Sequence, residues 1–497
     1  MTAAQQTRLA ITEDDFAEFA RALDDNDECA AVIAASLVRG RGNDPTGAVT
    51  FIGRAVSWVP VTAYLERNSQ SLSIASDGWV PAFRAAIRDG LVPVFVHTHP
   101  AGTAHFSRLD DQVDDALAHA ARAFGAPGYA SMVVAGGSDS PAVIARFQLF
   151  DEHTERLDQW ISVNAVRVAG ASLQLLLPPT DPQPVDDSTS DRHPVDLDAE
   201  TFDRQVRMLG RDGQQTLTAT NVAIIGVGGT GSAVATQLAR VGVGTITLVD
   251  DDDVTAPTPT RGHGIRVSDI GQAKVATLGS HLREIGLGTE IVEVNDSLNT
   301  PRALEAIQHA DVVFSCVDGH GARLILNRFA YAHVAVVIDL AVLVSLTGQR
   351  TDIDERVTWI GPGAACLLCR GRLDPALANA ENLDPERRRQ LAGEGYVQAA
   401  ETPQPAIVTL TTLVASLATT ELLLRLTGIG STDATELLLR PHLGDLRRNR
   451  IPQRPGCFCS DPRFLGRGLK APYLDLLWPE PPLARSLDES SSTEGGS

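Results

Sequence analysis

The sequence predicts a two-part α/β chain: a smaller mixed α/β unit, then a larger unit built on a parallel sheet with crossover helices. Three observations predict it. Residues 1 to about 176 alternate helical and extended patterns, with Asp15 to Leu23 reading as a helix and Cys29 to Val38 as a strand. From about Thr201 to Gly468 the pattern runs strand, Gly-rich turn, helix, strand, and repeats, as parallel sheets do. Between them lies PPTDPQPVDDSTSDRHPVD, Pro178 to Asp196, a linker by composition. The expected divisions are therefore 1–176, a linker over 177–199, a second unit over 200–470, and an extension with a Ser/Glu/Gly tail over 471–497, expected to be disordered.

With 497 residues, 43% hydrophobic and 21% charged, each unit is long enough to bury its own core. A formal charge of −20 argues against nucleic-acid binding, which needs basic patches to neutralise phosphates. No uninterrupted apolar run is long enough to span a bilayer, and the start MTAAQQTRLAITEDD has no basic flank before an apolar stretch. The expectation is a cytoplasmic chain without a membrane partner. Six cysteines are too few for a disulfide scaffold. Four of them form two tight pairs, Cys366/Cys369 and Cys457/Cys459, which suit a metal better than disulfides.

The segment LVPVFVHTHPAGTAHFSRLDDQVDDALAHAARAF carries the first site. His97 and His99 come after the β-prone Val94 to Val96 at a spacing of two, so both imidazoles leave the same face of a strand. Pro100 and Gly102 end that strand, and Ser107 and Asp110 open an amphipathic helix. Two histidines and one carboxylate leave a fourth position open, the ligand set of a catalytic zinc. Hydrolysis also needs a general base. Glu28, just before the strand at Cys29, is the candidate, with Glu13 and Glu18 also upstream. In plainer terms, Ser107 suits a helix N-cap and His105 a loop.

The spacing H-x-H, seven residues, S, two residues, D resembles the JAMM motif of the JAB/MPN metalloproteases, met by His97, His99, Ser107 and Asp110. The resemblance covers roughly residues 10 to 150. It implies a JAB/MPN metalloprotease domain in which the Glu is the acid/base and the Ser steadies the oxyanion.

In the second unit, Asn221 to Ile225 is a short apolar strand, and Gly226, Gly228, Gly229 and Gly231 turn it into the helix Ser232 to Val241. Missing side chains let phosphates approach the backbone, and the helix N-terminus favours their charge. The next strand, Thr245 to Val249, ends in Asp250, where a carboxylate takes a ribose hydroxyl. This much says nucleotide, with a Rossmann dehydrogenase as one reading. Residues farther along favour ATP: Asp252, Arg261, Lys274, then Asp318 at a strand end with Arg323 and Asn327 on the next helix. A triphosphate with magnesium uses such cations for its oxygens and a carboxylate, here Asp318, for the metal. Seen singly, Lys274 reads as a solvated helix residue and Arg261 as a loop charge.

These positions resemble the ThiF/HesA/MoeB family, the adenylating core shared with ubiquitin-activating enzymes. The resemblance runs over about residues 200 to 430. It implies a Rossmann-like parallel-sheet adenylation domain and a homodimer in which Arg204, within FDRQVRMLGRDGQQTL, reaches ATP across the interface. One departure is Thr258, where the family has Asn. Cys366, Cys369, Cys457 and Cys459 resemble the four-thiolate zinc knot of bacterial members, with C-x-C in place of the second C-x-x-C. Four thiolates close the tetrahedron, so that zinc is expected to be structural.

The functional expectation joins the two sites. The first unit cleaves after the C-terminal glycine of a ubiquitin-like or sulfur-carrier protein, and the second adenylates the freed carboxylate, using zinc, ATP and magnesium. A conjugating enzyme or a thiol takes the product. Arg370 to Gly456 holds no cysteine, so no thioester on this chain is expected; Thr402 and Thr409 are the hydroxyl alternatives. Sulfur-carrier processing for cofactor or cysteine synthesis, a dehydrogenase, and a scaffold with degenerate sites are the competing readings.

Overall fold

The structure, a computed structural model, describes residues 6–40, 47–69, 71–100, 102–150, 160–179, 200–347, 350–393 and 405–468. The first unit runs β1 (Thr7–Thr12), α1 (Glu13–Ala22), β2 (Ala30–Arg39), β3 (Val49–Trp58), β4 (Tyr64–Arg67) and β5 (Leu72–Ile74). It continues through α2 (Ser76–Arg88), β6 (Val92–Pro100), α3 (Arg108–Ala123), β7 (Gly128–Gly137) and β8 (Ser140–Leu149). β9 (Ile161–Ser162), β10 (Ala165–Ala169) and β11 (Leu173–Leu176) complete it. Nine strands form one sheet in the order β11-β10-β1-β3-β2-β6-β7-β8-β9, while β4 and β5 pair separately. β6 lies inside this sheet and is buried along nearly its whole length, as its apolar run Val92–Val96 requires.

The second unit opens with α4 (Asp203–Ala219), broken at Gly210, whose φ of 76° no helix accommodates. Then come β12 (Asn221–Ile225), α5 (Gly229–Arg240), β13 (Thr245–Val249), α6 (Lys274–Ile285), β14 (Glu290–Val294) and α7 (Pro301–Ile307). Next in order are β15 (Val312–Ser315), α8 (His320–Ala332), β16 (Val336–Thr347) and β17 (Arg350–Ile360). The unit ends with α9 (Pro375–Glu381), α10 (Pro385–Gly393), α11 (Val408–Leu426), β18 (Glu436–Arg440) and β19 (Asp445–Asn449). The sheet order is β14-β13-β12-β15-β16-β17-β18-β19, parallel from β14 to β16 and antiparallel beyond. Strand order reverses between β12 and β15, which opens a crevice at the carboxyl ends of the strands.

α11 is long and apolar enough to cross a membrane by length and composition. Here Val414, Ala415, Ala418 and Leu422 are fully buried, and Thr419 hydrogen-bonds Gln237 of α5. It is a helix that covers the sheet.

The two units share one core. Ala10, Ile52, Ala165 and Leu173 of the first pack in the same cluster as Leu217, Leu238, Trp359 and Leu422 of the second. Most of the linker, 180–199, lies outside the described residues. Where the units meet, Asp311, just before β15, accepts from Arg8 Nε at 3.2 Å and Arg167 Nη1 at 3.3 Å. Its other oxygen accepts from Arg8 Nη2 and from the Asn221 amide. Arg167, fully buried, spends its remaining N–H groups on the carbonyls of Ala310, His333 and Val334. Trp359 Nε1 donates to Gly170 O and Arg425 Nη1 to Ala171 O. Past β19 the chain returns to the first sheet: a Cβ on Gly466, at φ +66°, would sit 2.6 Å from Gly53 O. The tail expected over 471–497 lies outside the described residues.

Removing Asp311 leaves two guanidiniums buried without a counter-charge. Asp311→Ala is expected to lose about 3–5 kcal/mol of stability in denaturant unfolding. Asp203→Ala, which breaks the exposed pair with Arg207, is expected to lose less than about 1 kcal/mol. Equal, small losses would remove the case for a charged lock between the units.

Candidate active sites

Strand register builds the first site. β2 runs antiparallel to β6 with Ala30 opposite His97, which carries Glu28 alongside His99. The Cys29 amide donates to Thr98 Oγ1, and the Thr98 amide to Cys29 O, so this crossing is tied on both sides. His97 Nε2 lies 3.1 Å from His99 Nε2 and 3.1 Å from Asp110 Oδ1. His99 Nε2 stands 3.9 Å from Asp110 Oδ2 and 3.9 Å from Glu28 Oε1. Tetrahedral zinc with ligands near 2.0–2.1 Å spaces them about 3.3 Å apart, so His97, His99 and Asp110 fit that ion. Of the three upstream glutamates, only Glu28 is here. Glu13 accepts from Ser172 Oγ, and Glu18 from Trp58 Nε1.

Ser107 is the N-cap of α3: its Oγ accepts from the Asp110 amide, and Asp110 Oδ2 accepts from the Ser107 amide at 2.7 Å. That reciprocal box fixes the Asp110 carboxylate while Ser107 still lines the cavity. The cavity, about 420 Å³, is lined by Glu28, His97, His99 and Asp110 together with the apolar Leu72, Trp79, Phe95 and Leu117. Burial pushes Glu28 up to about 7, against the pull of His97 and with a push from Asp110. Burial also raises Asp110, but the hydrogen bond and charge of His97 outweigh it and hold the carboxyl below its usual range. Burial and the neighbouring His97 both lower His99, which favours the neutral ring, the form that ligates metal.

The second site lies at the crevice between β12 and β15. Gly226 has φ +82°, and a Cβ there would meet Cys316 O at 2.8 Å; one on Gly231 would overlap Gly226 O outright. These glycines therefore keep the turn bare of side chains just where α5 points its N-terminus. Arg261 packs beside Gly229, whose added Cβ would lie 3.4 Å from Arg261 Cβ. Asp250 accepts from the Val227 and Asp252 amides, and Lys274 Nζ reaches Asp252 Oδ2 at 2.6 Å and Asp250 Oδ1 at 3.4 Å. Thus Gly226, Gly228, Gly229, Asp250, Asp252, Arg261 and Lys274 gather around one turn. With a cradle a Cβ would fill and a lysine beside a ribose-type carboxylate, the donor set fits a nucleotide triphosphate.

The other expected residues have different surroundings. Asp318 is exposed past the end of β15. Arg323 is a clamp, with Nε on Asp339 Oδ1 at 3.0 Å, Nη2 on Leu340 O and Nη1 on Asp318 O. Asn327 is fully buried, its Oδ1 accepting from the Leu367 amide next to the first cysteine pair. Thr258 turns its hydroxyl back onto the Thr255 amide. Arg204 is exposed on α4 and has no ion pair among the described residues.

Cys366 Sγ lies 3.6 Å from Cys457 Sγ, and Cys369 Sγ 3.6 Å from Cys459 Sγ. All four sulfurs fall within 4.8 Å of one another. Zn–S bonds of 2.3 Å place sulfurs about 3.8 Å apart, so the set fits a closed thiolate tetrahedron despite the C-x-C pair.

Residues 202–459, more than half of the chain, match the ThiF family, and residues 10–149 match prokaryotic homologs of the JAB domain. The chain belongs to the ThiF family. In it a JAB homologue precedes the ThiF unit, the fusion expected from the motifs. This ThiF-family chain is 30% identical over 174 residues to adenylyltransferase and sulfurtransferase MOCS3 of Caenorhabditis briggsae, covering 35% of the chain and 42% of the relative. It is 33% identical over 139 residues to the sulfur carrier protein ThiS adenylyltransferase of Escherichia coli, covering 28% and 55%. With the molybdopterin-synthase adenylyltransferase of Escherichia coli it shares 29% over 174 residues, covering 35% and 68%. The chain spans about half the length of the first two of these relatives.

Sequence reasoning missed Asp339, fully buried at the end of the parallel part of β16 and bonded to Ser315 and Arg323. Its one signal is an Asp inside the apolar run VVIDLAVLV. It also missed Asp114 and Arg146 behind the first site.

The open and closed metal clusters make different predictions. Elemental analysis of purified protein is expected to find zinc at both. A strong chelator should strip the His97/His99/Asp110 ion while far-UV circular dichroism stays unchanged, whereas Cys459→Ser should lose the other ion and lower the Tm. Unfolding that accompanies the first loss would reverse the assignment of the two sites.

Proposed function

We propose that this chain hydrolyses the bond after the C-terminal glycine of a ubiquitin-like or sulfur-carrier protein, and adenylates that C-terminus with ATP. The placement of Glu28 against the His97, His99 and Asp110 cluster, in a chain whose other unit is of the ThiF family, carries the reading. When bound, zinc lowers the pKa of water at its open position and polarises a carbonyl. Glu28 does the proton work. Buried and 3.9 Å from His99, with a pKa near 7, it takes a proton from the attacking water and returns it to the leaving amine. Apolar side chains line the cavity beside this cluster, and Ser107 keeps Asp110 in place.

In the second unit the freed carboxylate attacks the α-phosphate of ATP, forming an acyl-adenylate and releasing pyrophosphate. Both reactants are anionic, so the α5 N-terminus, Arg261 and Lys274 supply the stabilisation, and Asp318 is the carboxylate that would hold magnesium. Arg323 holds the carbonyl of Asp318 and so sets where that carboxylate projects. Arg204, exposed and unpaired among the described residues, serves the partner protomer's site in a homodimer. The names of the relatives, which act as adenylyltransferases and in two cases with sulfur, favour a sulfur-carrier substrate over a conjugation pathway.

Glu28→Gln is expected to keep its zinc and lose cleavage of a Gly-terminated fusion by at least about 100-fold, the scale of general acid–base assistance. His97→Ala should lose both. Unchanged cleavage by the zinc-loaded Glu28→Gln enzyme would mean another group is the base.

Mixing Arg204→Ala and Asp318→Ala protomers should restore part of the ATP–pyrophosphate exchange that each lacks alone; proven heterodimers without recovery would place Arg204 in its own site. Burial pushes the Cys316 thiol up, which makes it inert. Thr409 is exposed in the first turn of α11, and Thr402 lies outside the described residues. With ATP and carrier, no thiol-sensitive adduct should form on the chain; one that disappears in Cys316→Ala would contradict this.

A further inference from the structure

We infer that Arg146 of β8 is the positioning residue for the Asp110 ligand, and that it sets the metal affinity of the first site without touching the metal. The inference rests on the reading of His97, His99 and Asp110 as a zinc site. Three contacts made by one guanidinium carry it, and they bracket Asp110 on both sides. Ahead of Asp110, Arg146 stacks on Phe106, the residue before the N-cap, with its Cζ 3.9 Å from the ring centroid. After Asp110, its Nη1 donates to Asp111 Oδ1 at 2.7 Å. One turn further on, Nε and Nη2 both donate to Asp114 Oδ2, at 3.0 and 2.7 Å. The Trp160 ring is also close, its centroid 4.5 Å from Arg146 Cζ. A planar group within reach of two rings and bonded to two carboxylates is a geometry arginine makes and lysine does not.

The sheet explains why this grip reaches the metal cluster. Arg146 is registered opposite Ser131 of β7, and Ser131 is registered opposite Phe95 of β6. Phe95, His97 and His99 alternate to one face, so Arg146 rises from the same face, in the next row. Asp114 lies one helical turn beyond Asp110, on the same side of α3, and lines the same cavity. It is 1% exposed and also accepts from Tyr129 OH at 2.7 Å. Asp110 therefore has its own capping box at the N-terminal side and a buried anchor at the C-terminal side. The anchor is fastened to the strand next but one to the histidines. A shift of α3 along the sheet would move Asp110 off the histidines, and Arg146 is what opposes that shift.

Arg146→Lys and Arg146→Met test this in the full-length protein. Zinc affinity is measured by competition with a chromophoric chelator, and site geometry by the visible spectrum of the cobalt-substituted protein. Both variants are expected to bind zinc on the order of 10- to 100-fold more weakly, as loss of an outer-shell partner does, with an altered cobalt spectrum. Where they cleave, kcat should fall while KM holds. Arg146→Met also strands the Asp114 charge, so Arg146→Met/Asp114→Asn is made alongside. That double variant is expected to regain stability but not affinity. A folded Arg146→Lys with wild-type zinc affinity and cobalt spectrum overturns the inference, as does restored affinity in the double variant. Failure of the wild-type chain to bind zinc at all would instead overturn the reading of the site itself.

Discussion

A carboxylate with almost no water around it holds the two units together. Asp311 sits at the foot of β15, 1% exposed, and the two cations that answer it, Arg8 and Arg167, come from the neighbouring strands β1 and β10 of the other sheet. Neither side is tolerable alone, since an unpaired buried charge costs several kcal/mol. The lock also fixes direction. Asp311 precedes β15, whose far end leads to Asp318, while Arg8 precedes Leu9 and Ala10 in the strand that seats β3 and, through it, β2 and β6. Each candidate site thus hangs from a strand anchored at the same buried point.

The two sites use the protein frame in opposite ways. The first concentrates ligating atoms: two imidazoles and a carboxylate converge, and burial pushes Glu28 up to about 7. The second removes side chains, leaving a bare backbone turn with cations at its rim. Both include an arginine and a buried carboxylate packed behind the site. Arg146 braces the helix that carries Asp110, and Asp339 braces Arg323, which in turn braces the loop of Asp318. In each case a buried carboxylate and an arginine fix the position of an exposed or half-buried functional carboxylate.

Distance along the chain decided which features were legible in the sequence. His97 and His99 share a strand face, Ser107 and Asp110 share a helix turn, and the glycine turn joins β12 to α5, so spacing alone carries their geometry. The family and fold class could be read from those motifs, and both units match the families expected. Glu28 was a choice among three glutamates, because only the β2–β6 register, across a gap of about seventy residues, decides which one faces His99. Arg8, Arg167 and Asp311 gave no signal at all: each is a charged residue in or beside a strand, ordinarily solvated, and only tertiary closure brings them together. Asn327 has the motif's spacing, and its side-chain oxygen accepts from the Leu367 amide of the cysteine loop, a contact spacing alone does not announce. β10 and β11 could not be assigned to the first sheet from sequence, since strands that short pair by context rather than by propensity.

Locked at Asp311, the two units form one cooperative body, which native-state hydrogen exchange can test. Amides of β10, Ala165–Ala169, belong to the first sheet, and those of β15, Val312–Ser315, to the second. Both sets are expected to exchange through a single global opening, with the same free energy and the same denaturant dependence. Exchange of β10 through a separate, lower-energy opening while β15 stays protected would contradict it.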